Sequence, residues 1–184
     1  MNLLVKMNRE SKNVSIRIRV CSIIGSLIRH ATVIENELSQ LGIPEVMAEL
    51  MKDKSEKVRR RAASALGEYL FYGATQMDED VQNNSIWEIS SNMVGFLLKT
   101  LKSSNEDDLV KFYICKTIEN ITAQSVNAGL KFANQEFALC FIALYGSVKV
   151  DAMKVCSIVC CGHLARLNNK LVPLIIEKVT LRHI

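Results

Sequence analysis

No run of this sequence approaches the ~18 to 20 uninterrupted apolar residues that a membrane-spanning helix needs. The opening Met1-Asn2-Leu3-Leu4-Val5-Lys6 is also too short for the apolar core of a signal peptide. The expectation is a cytoplasmic chain with no membrane contact. Its six cysteines, Cys21, Cys115, Cys140, Cys156, Cys160 and Cys161, show no paired framework and fall on apolar helical positions, as buried thiols in a reducing compartment do. Charge of one sign is scarce: 23 basic against 19 acidic side chains leave +4, which permits an acidic partner without demanding one and does not argue for nucleic acid. The densest basic run, Lys52, Lys54, Lys57, Arg59, Arg60 and Arg61, has no interleaved aromatic platform for stacking bases, and Glu49, Asp53 and Glu56 partly neutralise it. Nucleic acid is therefore not the expected partner.

What the sequence does contain is repetition. The stretch beginning at Val58 carries Val58, Ala62, Ala63, Leu66, Tyr69 and Leu70 at offsets of three and four, the spacing of one buried helix face. Ile16 to Ser26 aligns with it without gaps, pairing Ser22 with Ser64 and Gly25 with Gly67. Weaker copies start at Val110 and Met153, so the four starts lie 42, 52 and 43 residues apart. A helical pattern recurring every ~40 to 47 residues marks a HEAT or armadillo solenoid. The fold class expected is all-α, an armadillo/HEAT-like right-handed α-solenoid of about four repeats. It would form one repeat domain over residues 1–184, with repeats at roughly 1–31, 32–73, 74–124 and 125–168 and a partial one at 169–184.

Along the chain the same spacing predicts helices at 1–8, 15–30 (capped by Ser15), 32–41, 45–52, 55–70 (capped by Ser55), 86–101, 126–132, 136–145, 151–167 and 172–179. Residues 73–85, with little apolar content, read as a surface loop or a degenerate first helix. Gly42-Ile43-Pro44 reads as a sharp corner, and Ser104-Asn105-Glu106-Asp107 as a capping box. Glycine costs a helix interior ~1 kcal/mol relative to alanine, so Gly25, Gly67 and Gly162 at one aligned position predict close helix approach. Neither end carries the polar capping repeat that solenoids use. Apolar Leu3, Leu4 and Val5 at one end and Leu174, Ile175 and Val179 at the other therefore suggest a piece of a longer protein, and end-to-end self-association of the isolated segment.

Polar residues aligned across copies supply the candidate site. Arg19, Ser22, Ser26 and Arg29 share one helix face in the first copy, Arg61, Ser64 and Glu68 in the second, and Tyr113, Lys116 and Asn120 in the third. Stacked repeats would lay these faces side by side on a concave ridge, the surface solenoids use for protein partners. Arg59 and Arg60 add to a positive field that suits an acidic segment. Against this stands the plain reading of a solvated face, which every surface helix needs. Cys160, Cys161 and His163 offer at most two metal ligands on one helix face, with no second pair at a zinc spacing, so neither a metal nor any other cofactor is expected. The same residues lack the orienting acid and oxyanion donors of a nucleophilic pair.

Leu41-Gly42-Ile43-Pro44-Glu45-Val46-Met47-Ala48-Glu49-Leu50-Met51, followed by the alanine-rich face after Val58, is similar to the armadillo pattern. Val14-Ser15-Ile16-Arg17-Ile18-Arg19-Val20-Cys21-Ser22-Ile23-Ile24-Gly25, then Leu66-Gly67-Glu68-Tyr69-Leu70, Lys116-Thr117-Ile118-Glu119-Asn120-Ile121 and Ile176-Glu177-Lys178-Val179 resemble, in that order, the C-terminal armadillo region of the unc-51-like kinase four (Runkel) pseudokinase family. The resemblance implies a long protein with an N-terminal pseudokinase, followed by repeats that act as a scaffold in microtubule-related work such as cilium assembly or plant cell division. This chain has no glycine-rich phosphate loop, no His-Arg-Asp stretch and no Asp-Phe-Gly, so no nucleotide-binding residue carries over and no enzymatic activity is expected. Of the tryptophan and asparagine that armadillo grooves use, only Asn120 has a counterpart. The expected function is a non-catalytic protein-interaction scaffold, cytoskeletal or ciliary in setting, with an acidic or microtubule-associated partner. The alternative is a regulatory appendage of a kinase or pseudokinase domain in the same polypeptide.

Overall fold

The structure, a computed structural model, describes residues 1–32, 36–79 and 86–180. In chain order the helices are α1 (Asn2–Glu10), α2 (Val14–Arg29), α3 (Ile43–Leu50), α4 (Glu56–Glu79), α5 (Ser91–Lys102), α6 (Asp108–Gln124), α7 (Val126–Leu130), α8 (Gln135–Ser147), α9 (Asp151–Leu167) and α10 (Val172–Thr180), with short 3₁₀ helices at Asn36–Leu41 and Asn169–Leu171. No strand occurs among the described residues. The four aligned sequence copies become α2, α4, α6 and α9. Each packs on the next, α2 on α4, α4 on α6 and α6 on α9, while α1, α3, α5, α8 and α10 form a second layer behind them. The result is an all-α solenoid.

The apolar stripe explains this stacking. Val58, Ala62, Ala63, Leu66, Tyr69 and Leu70 are all buried, as the spacing requires, and Ile24, Ile28, Ile114, Ile118, Cys161 and Leu164 hold matching positions in the other long helices. Fully burying each Leu or Ile side chain stabilises by ~1.5–3 kcal/mol, so the core runs along the seam between layers. Small residues set the spacing of the ridge. A Cβ on Gly25 would lie 3.3 Å from Ala65 Cα, and one on Gly67 would lie 2.3 Å from Thr117 Oγ1. Gly162 differs: nothing lies within 4 Å of its Cβ position, so the close approach expected at all three glycines holds only at Gly25 and Gly67.

Local chemistry accounts for most boundaries. Gly42 adopts φ +65° and leads α3, with Pro44 in the first turn, where a missing amide hydrogen costs nothing. Asn13, rather than Ser15, caps α2: its Oδ1 accepts from the amides of Ser15 (2.9 Å) and Ile16 (3.2 Å). The carbonyl of Ser55 accepts from the amides of Val58 and Arg59 at the start of α4. The capping box at 104–107 does not form. Asp107 stands at the N-cap of α6 without a side-chain cap bond, and its carboxylate is taken by Arg60.

Three helix boundaries differ from the sequence pattern by more than two residues. Of 32–41, only Asn36–Leu41 is helical, as a 3₁₀ helix, and 33–35 lie outside the described residues. Helix α4 continues to Glu79, so the start of the stretch read as a surface loop or degenerate first helix is helical and continues the preceding helix, with Gly73 and Ala74 buried; residues 80–85 lie outside the described ones. Helix α5 starts at Ser91 rather than at 86, with Ser90 as its cap. The segment before it begins in a turn at residues 86–87, from which Trp87 covers Gly73 at 3.4 Å from its Cβ position and meets Tyr69 with ring centroids 6.0 Å apart. At the ends, Leu3 is 70% exposed but Val5 is buried, and Leu4, Leu174, Ile175 and Val179 pack partly on the core. Less apolar surface is therefore bare than the sequence suggested.

Candidate functional site

Where α2, α4 and α6 lie side by side, a groove of about 190 Å³ is lined by Arg29, Ser64, Glu68, Phe71, Phe112, Tyr113, Lys116 and Asn120. Six of the candidate residues thus converge: Arg29 from α2, Ser64 and Glu68 from α4, and Tyr113, Lys116 and Asn120 from α6. The glycine contact explains the geometry, because Gly67 lets α6 approach α4 and leaves Ser64 and Glu68 facing Tyr113 across a narrow floor. Arg29 Nε donates to Glu68 Oε1 at 3.0 Å, and Lys116 pairs with Glu119 one turn on. Hydrogen bonding to Glu68, followed by its charge, raises the Arg29 pKa; the same two effects of Glu119 raise that of Lys116, against a smaller lowering by burial. The groove therefore presents charge already balanced at each end and two aromatic faces between.

The sequence pattern missed Phe71 and Phe112, which form the apolar walls. Phe71 continues the Ser64, Glu68 offset by three, so the signal was present and was read only as polar. The other candidates lie elsewhere. Ser22 donates from Oγ to Ile18 O at 2.9 Å on its own helix, and Arg19, Ser26 and Arg61 are exposed on the ridge outside the groove. Neither Arg19 nor Arg61 has an ion pair among the described residues.

Arg59 and Arg60 occupy a different setting from the ridge expected of them. Arg59 Nε donates to Glu106 Oε1 at 3.0 Å. Arg60 grips Asp107 with two parallel bonds, Nε to Oδ1 at 2.6 Å and Nη2 to Oδ2 at 2.9 Å, and also pairs with Glu56. Arg17, aligned with Arg59, pairs in the same way with Asp53 ahead of the next long helix. These arginines tie the start of each long helix to the turn before the next, and their charge is answered by carboxylates. Arg60 lowers the Asp107 pKa, first by hydrogen bonding and then by its charge, against a rise from burial. Arg17 and Arg59 line separate crevices between repeats, of about 390 and 540 Å³.

Among groups that could hold a metal, Cys160, Cys161 and His163 do not converge: His163 Nδ1 lies 3.1 Å from Thr122 Oγ1 of α6. Instead Cys115 of α6 meets Cys156 and Cys160 of α9, all three buried and with their Sγ atoms within 4.8 Å of one another. Hydrogen bonds from Cys156 and then Cys160 lower the pKa of Cys115, while burial holds that of Cys160 well up. This trio spans two repeats, and one-helix spacing could not reveal it.

A ridge of stacked long helices with a polar and aromatic groove defines a helical-repeat protein. The crystal structure of an engineered protein from the Northeast Structural Genomics Consortium shares the fold, with a TM-score of 0.62 at 15% identity over 97% of this chain and 70% of that one. No protein-family model matches the chain. Two relatives do. The serine/threonine-protein kinase RUNKEL of Arabidopsis thaliana is 34% identical over 197 residues, which cover all of this chain and 14% of that protein. The serine/threonine-protein kinase ULK4 of Mus musculus is 24% identical over 181 residues, covering 97% of this chain and 14% of that protein. Over its whole length the chain is thus similar to a part of these unc-51-like kinase relatives. It spans about 14% of the length of these relatives and matches their non-kinase part, which fits a regulatory or scaffold role.

Proposed function

We propose that this chain is a non-catalytic scaffold, working in the cytoplasm, whose groove between α4 and α6 docks a segment of a microtubule-associated or ciliary protein. The observation that carries the reading is the convergence of Arg29, Ser64, Glu68, Tyr113, Lys116 and Asn120, drawn from three successive repeats, around two aromatic walls. Aromatic faces beside polar groups are what an interface hot spot uses. Beside the groove, Arg19 and Arg61 occupy aligned positions on neighbouring helices and give an acidic segment a place to extend along the ridge. The test is cosedimentation of the 184-residue chain with purified microtubules, alone and with their microtubule-associated proteins, for wild type and for Tyr113→Ala and Asn120→Ala. The expected result is pelleting with the loaded microtubules that falls by roughly tenfold or more in the variants, as loss of a hot-spot residue gives. Equal pelleting of wild type and variants removes the groove from the mechanism.

The second reading, control of a kinase-like domain in the same polypeptide, is favoured by the family's overall composition: both relatives carry the name of a protein kinase. It predicts that the kinase domain added in trans binds this chain and competes for the same groove. Binding to the kinase domain with no binding to microtubule-associated proteins selects this reading over the scaffold.

A further inference from the structure

We propose that Cys115, Cys156 and Cys160, with Glu119 as the fourth ligand, form a zinc site that staples α6 to α9. The sulfur geometry comes first. Zinc bonds thiolate sulfur at ~2.3 Å, so a tetrahedral site sets its sulfurs ~3.8 Å apart. The Sγ atoms of Cys115 and Cys160 are 3.9 Å apart, and all three sulfurs lie within 4.8 Å of one another. One sulfur–sulfur edge of the tetrahedron is already formed, and the other two close by ~1 Å or less through side-chain rotation.

Connectivity supplies the second argument. Cys156 and Cys160 stand four residues apart on α9, and Cys115 and Glu119 four apart on α6. Each of two helices packed side by side thus offers an i, i+4 pair, the spacing by which one helix face presents two ligands to one ion. Glu119 stands one turn from Cys115 on α6, its carboxylate paired with Lys116 and outside the sulfur trio, so it completes the site by rotating inward. Ser157, fully buried, has its Oγ 3.8 Å from Cys115 Sγ and donates to Met153 O at 2.8 Å. Cys140 and Cys161 are buried as well but belong to no such cluster.

Charge favours zinc over a monovalent ion. On binding, each of the three thiols releases its proton to water as its sulfur–metal bond forms, and no electron moves. Three thiolates and one carboxylate around Zn²⁺ leave two negative charges, one of them offset by Lys116. Cu⁺ would leave one more negative charge in a buried place, and it favours sulfur alone, with no use for Glu119. The three cysteines belong to the α6–α9 contact, while the groove lies between α4 and α6, and the Lys116–Glu119 pair is where the two meet.

The experiment titrates the reduced, metal-stripped chain anaerobically with Co²⁺ as a spectroscopic probe, then displaces it with Zn²⁺. Expected are one equivalent of cobalt, a sulfur-to-cobalt charge-transfer band, the ligand-field bands of a tetrahedral ion, and loss of all of these on adding zinc. Cys115→Ser, Cys156→Ser and Cys160→Ser should each weaken binding by more than roughly tenfold, while Cys140→Ser and Cys161→Ser leave it unchanged. Glu119→Gln should keep the sulfur band and shift the ligand-field bands. Because a serine variant could unfold, circular dichroism accompanies each, and the wild-type titration decides by itself: no stoichiometric cobalt or zinc binding by the folded, reduced chain overturns the proposal. So does a site that binds Cu⁺ but not Zn²⁺, or cobalt binding that survives removal of all three cysteines.

Discussion

Replacing Gly67 by alanine sets two effects of similar size against each other, and the structure says which prevails. Alanine in a helix interior is favoured over glycine by ~1 kcal/mol. The added methyl, however, would sit 2.3 Å from Thr117 Oγ1 and 3.5 Å from Thr117 Cβ. Thr117 cannot swing away freely. It is buried, its Oγ1 donates to Tyr113 O at 2.8 Å, and its branched side chain has few helical rotamers. Relief must come from breaking that bond or spreading α4 from α6, and overpacking of this kind costs ~1–3 kcal/mol. The net expectation for Gly67→Ala is destabilisation of about 0–2 kcal/mol, and for Gly67→Leu, which gains the same propensity but adds three more carbons, about 1–3 kcal/mol.

A double-mutant cycle isolates the contact. Thr117→Ala removes the clashing oxygen, so Gly67→Ala introduced on that background should be neutral or stabilising, giving a coupling of about 1 kcal/mol or more between the two sites. Gly162→Ala is the internal control: with nothing within 4 Å of its Cβ, it should stabilise by up to ~1 kcal/mol through propensity alone. Urea unfolding measures all of these as shifts in midpoint at constant slope. If Gly67→Ala is as stable as Gly162→Ala on the wild-type background, close approach of α4 and α6 does not set the ridge.

Trp87→Ala should cost about 3–5 kcal/mol, since the indole covers Gly73 and meets Tyr69; a loss under about 1 kcal/mol in urea unfolding would mean that the segment before α5 does not hold it. The Asp107 carboxyl is held below its usual pKa by Arg60, so its contribution is full above the ordinary carboxylate range and is lost as pH falls through the depressed value. The stability gap between wild type and Asp107→Asn should accordingly be widest near neutral pH and shrink in acid, and a gap independent of pH would dissolve that linkage. Reversing Arg19 and Arg61 to glutamate should weaken partner binding more at low salt than at high salt, with unchanged circular dichroism, because exposed charges are screened over ~8 to 10 Å at physiological ionic strength. Equal affinities at low salt would return both residues to an ordinary solvated face.

The fold was legible because repetition amplifies a weak signal. The stripe from Val58 to Leu70 would define one helix by itself, but the same offsets at Ile16, Val110 and Met153 define a stack. Where the chain departs from repetition, the pattern lost its hold. Residues 73–79 have little apolar content, yet Gly73 is covered by Trp87, a contact that arises from tertiary packing and leaves no period in the sequence. Asn13 replaced Ser15 as the cap because either residue type fills that role and only the entering backbone angle decides. In the groove, alignment found the polar half of the lining and missed Phe71 and Phe112, since aromatics on an amphipathic helix read as core unless the neighbouring helix is known to leave them uncovered.

The arginines show why aligned positions do not imply a shared role. Arg19 and Arg61 are exposed, whereas Arg17, Arg59 and Arg60, two residues or fewer away from them, hold carboxylates of the next repeat's leading turn. On a helix a shift of one or two residues rotates a side chain by about 100° or 200°, enough to carry it from the ridge to the crevice between repeats. The positive run in the sequence is therefore two surfaces. One ties repeat to repeat, and its charges are partnered at partly buried sites, where reversal would set like charges together across a packing seam. The other is free to meet a partner, and only on that surface does a charge reversal report on binding without first disturbing the stack. Reversing Arg59, Arg60 and Arg61 together would confound the two effects, so a binding defect in that variant would carry no information about the ridge.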